Sequence, residues 1–181
     1  ARLVRHVHGA GGVIGAVCHG PAALLEVTLD DGTPLLHGRR VTGFSNAEEF
    51  FLIKEARTVF PFLLQDSLAQ QSAAFVEGPM YLDNTVVDGH LVTGQNPWST
   101  WSVAEAMVRA LGHEPVPRRG TAEEVSVDLL ATYHASGLEE AAARKLAGPR
   151  ADKQLLLMHA LVAAMQGNLR EAWELQRLAR I

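Results

Sequence analysis

A single cysteine followed directly by a histidine is the part of this 181-residue sequence best suited to covalent chemistry. A thiolate is a strong nucleophile, and a neighbouring imidazole can lower the pKa of the thiol from which it forms. Cys18 and His19 therefore predict nucleophilic catalysis. The alternative for a lone cysteine is that it serves as a small buried apolar side chain without chemistry.

The segments on either side of Cys18 predict how it is presented. Residues 13–17 are small or β-branched, which indicates a short buried strand, and Ala22 to Leu25 indicate the start of a helix packed on it. Cys18 would lie at the turn between them, with Ala16 and Gly20 as the small neighbours that such a turn needs. We expect the helix N-terminus, His19 and an acid orienting that histidine to lower the pKa of Cys18. Direct proton transfer to His19 is not expected from geometry, because consecutive side chains diverge at a turn.

Three segments resemble a known family. Residues 16–22, Ala-Val-Cys-His-Gly-Pro-Ala, resemble the nucleophile turn of the ThiJ/PfpI superfamily, which has the class I glutamine amidotransferase-like fold, and in particular its glyoxalase III and heat-shock chaperone branch. Residues 42–49, Thr-Gly-Phe-Ser-Asn-Ala-Glu-Glu, and residues 86–99 are similar to the same branch. The resemblance covers about residues 1–113. It implies an α/β fold that is a portion of a doubly wound, flavodoxin-like sheet.

Glu49 is the candidate third member of the site. Ser45 and Glu48 have the spacing of a capping box, which gives Glu48 a structural role and leaves Glu49 without one. The resemblance implies that Glu49 completes a Cys18, His19, Glu49 group. From the residues alone, the preferred interpretation of Glu49 is a solvated first-turn carboxylate that the helix dipole favours.

Further local patterns predict the surrounding elements. A short strand is expected at Val41 to Phe44, and the capping box predicts a helix that continues to Val59. Asp88-Gly89 between two apolar runs predicts a β-hairpin. Asn96 and Pro97 predict a helix start, which gives Gln95 and Asn96 structural rather than catalytic roles.

The sequence changes character after its first two thirds. We expect residues 1–114 to be the C-terminal portion of a ThiJ/PfpI-like domain, residues 115–120 to be a linker, and residues 121–181 to be an all-helical C-terminal appendage. Residues 136–141 and 167–172 are alike, at roughly the offset of helical-hairpin repeats. The appendage is therefore predicted to form two hairpins, either for docking or homodimerisation or as a generic helical tail.

The start of the sequence suggests that part of the domain is supplied elsewhere. The chain opens on a helix-like segment that Gly9, Gly11 and Gly12 end, and only one strand candidate precedes Cys18. The resemblance implies an additional carboxylic acid beside the cysteine, contributed by the first strand-to-helix connection, whereas no acidic residue precedes Cys18. We therefore expect an N-terminal segment or a companion chain, and we expect this chain alone to be inactive.

The resemblance implies a glutathione-independent glyoxalase or deglycase-type enzyme. Its substrate would be a small α-oxoaldehyde such as methylglyoxal, which the Cys18 thiolate would attack to give a hemithioacetal. Two alternatives stay open. One is a stress-response holding chaperone or redox-sensing binding protein in which Cys18 is oxidised, and the other is a PfpI-type cysteine peptidase.

Composition excludes several classes of partner. The net charge of −4 and the lack of a basic block argue against nucleic acid and membrane surfaces. One cysteine cannot form an intrachain disulfide, which favours a cytoplasmic location. The histidines lack metal-ligand spacing, and residues 9–12 lack the flanking strand and helix of a dinucleotide site, so no metal and no cofactor are expected.

Overall fold

The computed structural model describes residues 1–181 as two compact units, Ala1–Val116 and Pro117–Ile181. The first unit mixes strands and helices, and the second contains helices only. The α/β class predicted from the sequence is therefore confirmed. None of the helices is both long enough and apolar enough to cross a lipid bilayer.

The first unit is built from short elements. In chain order they are α1 (Arg2–Gly9), β1 (Ile14–Val17), a 3₁₀ helix (Gly20–Leu24), β2 (Arg40–Val41), α2 (Asn46–Leu52), α3 (Ala56–Val59), α4 (Leu64–Gln70), β3 (Ala74–Phe75), β4 (Thr85–Asp88), β5 (Leu91–Gly94), a second 3₁₀ helix (Pro97–Ser99) and α5 (Thr100–Ala110).

Three strands form the sheet that carries the site, in the order β1-β5-β4. β1 and β5 are parallel, with Val17 opposite Gly94, and β4 and β5 form the predicted hairpin around Gly89, whose φ is +60°. Parallel pairing places the carboxyl ends of β1 and β5 at one edge of the sheet. The residues that follow them, Cys18 and Gln95, therefore lie at that edge. The two-residue strands β2 and β3 pair in parallel and form a separate small sheet.

A buried apolar cluster supports this edge. Cys18 itself packs partly against the cluster. Each fully buried leucine contributes about 1.5–3 kcal/mol to folding. The cluster therefore stabilises the turn at Cys18. The buried members are Ile14, Leu24, Val27, Leu35, Leu36, Val41, Phe44, Leu64, Leu68 and Leu91.

Two predicted elements are shorter than expected. The strand predicted over Val41 to Phe44 ends at Val41, because the Thr42 N–H donates to the Thr93 hydroxyl and the Phe44 N–H donates to the Cys18 carbonyl. The helix predicted to reach Val59 is interrupted at Ile53, which has an extended backbone with φ −135° and ψ 99°. After this break, α3 begins with a buried Ala56.

The second unit consists of two helical hairpins. Its helices are α6 (Ala122–Ser136), α7 (Leu138–Ala147), α8 (Lys153–Met165) and α9 (Leu169–Arg180). A capping box of Thr121 and Glu124 opens α6. Gly137 and Gly167 have left-handed φ values of +85° and +82° and separate the helices of each pair. The two similar sequence segments therefore correspond to the two hairpin turns.

Candidate active site

Cys18 has a left-handed backbone, with φ +61°, which is uncommon for any residue other than glycine. Its N–H donates to the Gly94 carbonyl at 2.9 Å, and its carbonyl accepts from the Phe44 N–H at 2.9 Å. Such a conformation costs about 1–3 kcal/mol and persists only where the surroundings hold it. Here β5 and the segment after β2 hold Cys18 from both sides.

The close approaches around this turn involve glycines that the sequence did not single out. A Cβ on Gly43 would lie 2.9 Å from Leu64 Cδ2 and 3.2 Å from the Cys18 carbonyl oxygen. A Cβ on Gly94 would lie 2.7 Å from Ser99 Cβ. Gly20, which we expected to require a small residue, has room for a methyl group, since the nearest atom would be 3.6 Å away. In both cases the sequence shows a Thr-Gly pair at the end of a strand: Thr42-Gly43 follows β2, and Thr93-Gly94 ends β5.

Cys18, His19 and Glu49 form a continuous line of polar contacts. The Cys18 sulfur lies 3.4 Å from Nδ1 of His19, and Nε2 of His19 lies 2.8 Å from Oε2 of Glu49. A carboxylate only accepts, so Nε2–H donates to Glu49 and Nδ1 presents its lone pair to the thiol. The expectation that the consecutive side chains of Cys18 and His19 diverge is wrong, because the left-handed backbone at Cys18 brings them together.

Glu49 is buried in the first turn of α2, so its interpretation as a solvated carboxylate is wrong. The His19 side chain is 55% exposed, and its ring packs against Phe44 with the ring centroids 4.7 Å apart. The imidazole is therefore oriented by Glu49 and Phe44 while it stays accessible to a small molecule.

The electrostatics of the thiol differ from expectation. Burial raises the pKa of Cys18, and the negative charges of Glu48 and Glu49 raise it further, while a hydrogen bond from the His19 backbone N–H opposes them. The expected lowering of the pKa is wrong, first because burial disfavours the charged thiolate. The two carboxylates also disfavour a further negative charge. The helix after Cys18 is a 3₁₀ helix of only five residues and supplies little dipole to offset these effects.

Gln95 and Asn96 have the structural roles predicted for them. Asn96 accepts from the Trp98 N–H at 3.0 Å and caps the 3₁₀ helix that begins with Pro97. Gln95 is buried and accepts from the Gly78 N–H at 2.7 Å. Across residues 1–181, no group of three or more His, Cys, Asp or Glu side chains is arranged to hold a metal ion.

No family model matches the sequence. The chain is 36% identical over 115 residues to the glutathione-independent glyoxalase hsp3102 of Schizosaccharomyces pombe, and the match covers 60% of this chain and 48% of that protein. Glyoxalase 3 of Candida albicans is likewise 36% identical over 115 residues, with the same coverage of each chain. The chain thus spans about half the length of these curated relatives.

Solved structures match the same share of the chain. The crystal structure of glyoxalase III from Candida albicans superposes with a TM-score of 0.57 at 30% identity, over 60% of this chain and 47% of that one. The Rapid Encystment Protein 24 kDa of Francisella tularensis superposes with a TM-score of 0.56 at 36% identity, with the same coverage. Over about 60% of its length, this chain is therefore similar to the glutathione-independent glyoxalases, which agrees with the resemblance of its motifs to the glyoxalase branch.

Proposed function

We propose that the protein is a glutathione-independent glyoxalase or deglycase-type enzyme that acts on small α-oxoaldehydes such as methylglyoxal. Cys18 is the nucleophile, His19 is its base, and Glu49 orients His19. The observation that carries this proposal is the line of contacts from thiol to imidazole to carboxylate, at 3.4 and 2.8 Å. The similarity to named glyoxalases supports the choice of substrate class.

In the proposed first step, the Cys18 sulfur attacks the aldehyde carbon as its proton moves to Nδ1 of His19. The carbonyl π bond becomes a lone pair on oxygen, and the imidazolium then returns the proton to that oxygen to give a hemithioacetal. Glu49 stabilises the transient imidazolium, as the acid does in other triads. The backbone N–H of His19, which favours negative charge at the sulfur, is a donor available to the developing oxyanion.

The next step moves a hydrogen between adjacent carbons. A base removes the proton from the hemithioacetal carbon, the resulting enediol is protonated at the neighbouring carbon, and a thioester of a hydroxy acid results. Water hydrolyses this thioester and restores the thiol, so the net reaction adds one water to methylglyoxal. We propose that the carboxylic acid serving as this base lies outside residues 1–181, in an N-terminal segment or companion chain. The resemblance and the half-length match to the relatives support this placement.

We further propose that residues 1–114 are the C-terminal portion of a ThiJ/PfpI-like domain, residues 115–120 a linker, and residues 121–181 a helical appendage for docking or homodimerisation. The chain divides into compact units between Val116 and Pro117, which supports the linker. Exposed apolar side chains on α8 and α9, among them Leu161, Met165, Leu169 and Trp173, support an interaction role. The single cysteine supports a cytoplasmic location.

The proposal is tested with protein expressed from its full coding sequence. Methylglyoxal consumption without glutathione is expected in the wild type and is expected to be lost in Cys18→Ala. Unchanged consumption in Cys18→Ala would rule out an enzyme that uses Cys18 as its nucleophile. Suppression of client aggregation that survives Cys18→Ala, without any consumption of methylglyoxal by the wild type, would favour the holding chaperone instead.

A further inference from the structure

Glu48, the residue before Glu49, is a fully buried carboxylate that connects separate segments of the first unit. Its Oε2 accepts from the Ser45 N–H at 3.0 Å and from the Ser45 hydroxyl at 3.1 Å. Its Oε1 accepts from the Tyr81 N–H at 2.9 Å and from Nδ2 of Asn96 at 2.9 Å. The capping box explains only the contacts to Ser45. The contacts to Tyr81 and Asn96 reach residues 33 and 48 positions away.

These distant contacts fix the position of α2. Tyr81 has a left-handed backbone with φ +57°, and its hydroxyl donates to the Glu48 carbonyl at 3.2 Å, so this strained turn is bound to α2 twice. Asn96 follows β5, whose last residue, Gly94, accepts the hydrogen bond from the Cys18 N–H. The same strand end therefore holds both Cys18 and the partner of Glu48. Glu48 therefore connects α2 to the strand end that holds the Cys18 turn.

We propose that Glu48 is a positioning residue of the Cys18 site: its buried carboxylate sets the place of Glu49, and through Glu49 the ring of His19, relative to the thiol. Its effect on turnover rests on the proposed function, whereas its effect on the thiol does not.

The charge of Glu48 gives this role a measurable signature. The ionisable groups facing the thiol are His19 from the turn itself and Glu48 and Glu49 from α2. Both carboxylates, added to burial, raise the pKa of Cys18. Removal of the Glu48 charge should therefore move the titration of the thiol to lower pH, whereas loss of its positioning contacts should lower turnover even when the charge is kept.

Two substitutions separate charge from reach. Glu48→Gln keeps the size of the side chain, removes its charge and replaces one acceptor oxygen by a donor group, whereas Glu48→Asp keeps the charge but shortens the reach. Glu124→Gln is the matched control, because Glu124 closes a capping box of the same type in the second unit and also pairs with Arg118. The readouts are the pH profile of Cys18 alkylation by iodoacetamide in this chain, and methylglyoxal turnover in the protein expressed from its full coding sequence.

We expect Glu48→Gln to move the alkylation midpoint to lower pH and to lower kcat about tenfold to a hundredfold, the usual cost of a small misplacement of a catalytic group. Glu48→Asp is expected to lower kcat similarly while its midpoint stays close to that of the wild type. Glu124→Gln should leave both quantities unchanged.

A wild-type alkylation midpoint in Glu48→Gln overturns the inference, and so does a kcat equal to that of Glu124→Gln. If Glu48→Gln does not fold, Ser45→Ala replaces it, because this change removes one hydrogen-bond donor to the Glu48 carboxylate and keeps its charge. Ser45→Ala should lower kcat while the alkylation midpoint stays unchanged. A wild-type kcat in Ser45→Ala would overturn the inference. If the wild type consumes no methylglyoxal, the proposed function fails, and the alkylation profile still decides whether the Glu48 carboxylate acts on the Cys18 thiol.

Discussion

Glu49 accepts a hydrogen bond from Nε2 of His19 at 2.8 Å, and this bond leaves the other ring nitrogen, Nδ1, facing the Cys18 sulfur at 3.4 Å. The two residues lie 30 positions apart and meet because α2 begins beside the Cys18 turn. This arrangement supports the proposed role of His19 as the base that takes up the thiol proton, while burial and the two carboxylates raise the pKa of Cys18.

Replacing Glu49 with Gln should lower kcat/KM by about a hundredfold to ten-thousandfold, the range seen when the orienting acid of a triad becomes an amide. The amide group of Gln can donate to Nε2, which moves the ring proton to Nδ1 and removes the lone pair that faces the thiol. Steady-state methylglyoxal kinetics would show this. Glu139→Gln, at an exposed first-turn acid of α7, is the control and should retain wild-type kinetics.

Alkylation of Cys18 should be slow at neutral pH and should rise through a midpoint above that of a cysteine in an unstructured peptide, about 8.5. The sign follows from burial first and from Glu48 and Glu49 second, since each disfavours the thiolate and raises the pKa of Cys18. Iodoacetamide rates measured across pH would test this. A midpoint below that of the unstructured peptide would mean that the site stabilises a resting thiolate.

Gly94→Ala should destabilise the first unit by about 1–3 kcal/mol, the usual cost of overpacking a tight site. The added Cβ would lie 2.7 Å from Ser99 Cβ and 2.8 Å from Val103 Cγ2, so β5 or α5 must shift. Chemical denaturation would give the loss in free energy of unfolding. Gly20→Ala is the matched control, since its Cβ meets only an ordinary contact at 3.6 Å, and an equal loss there would contradict the role of close approach at β5.

Gly137→Ala should lower the stability of the second unit by about 1 kcal/mol, because φ +85° is strained for any residue with a side chain. No atom lies within 4 Å of the added Cβ, so the effect would come from the backbone alone. Thermal unfolding would measure it. Cys18 alkylation rates should be unchanged, and a change in them would show that the hairpin turn influences the thiol.

Local patterns were the part of the fold that the sequence could predict. The capping box at Ser45, the hairpin at Gly89 and the helix cap at Asn96 are confirmed, because their partners lie within a few residues along the chain. The Cys18 turn after β1 was predictable for the same reason. The break at Ile53 was not, because the periodic pattern of apolar residues continues across it.

The state of the thiol could not be predicted from local sequence. The pKa of Cys18 depends on burial and on two carboxylates about 30 residues away, and the short 3₁₀ helix offers little compensation. The approach of the His19 ring to the Cys18 sulfur depends on the left-handed backbone of Cys18. Two hydrogen bonds hold this backbone: the Cys18 N–H donates to the Gly94 carbonyl of β5, and the Phe44 N–H donates to the Cys18 carbonyl. The sequence predicted the hydrogen bonds of Glu48 to Ser45 but not those to Tyr81 and Asn96, because these two residues are distant in the chain and meet Glu48 only in the tertiary structure.

Covalent bonding of the Cys18 sulfur to the aldehyde is tested by peptide mass spectrometry of the protein expressed from its full coding sequence, quenched during turnover of methylglyoxal and compared with Cys18→Ala. One methylglyoxal unit is expected on the peptide that contains Cys18. This adduct should disappear as the hydroxy acid forms and should be absent from Cys18→Ala. Turnover that proceeds with adducts on lysine or arginine side chains only, and none on Cys18, would contradict the proposed role of Cys18.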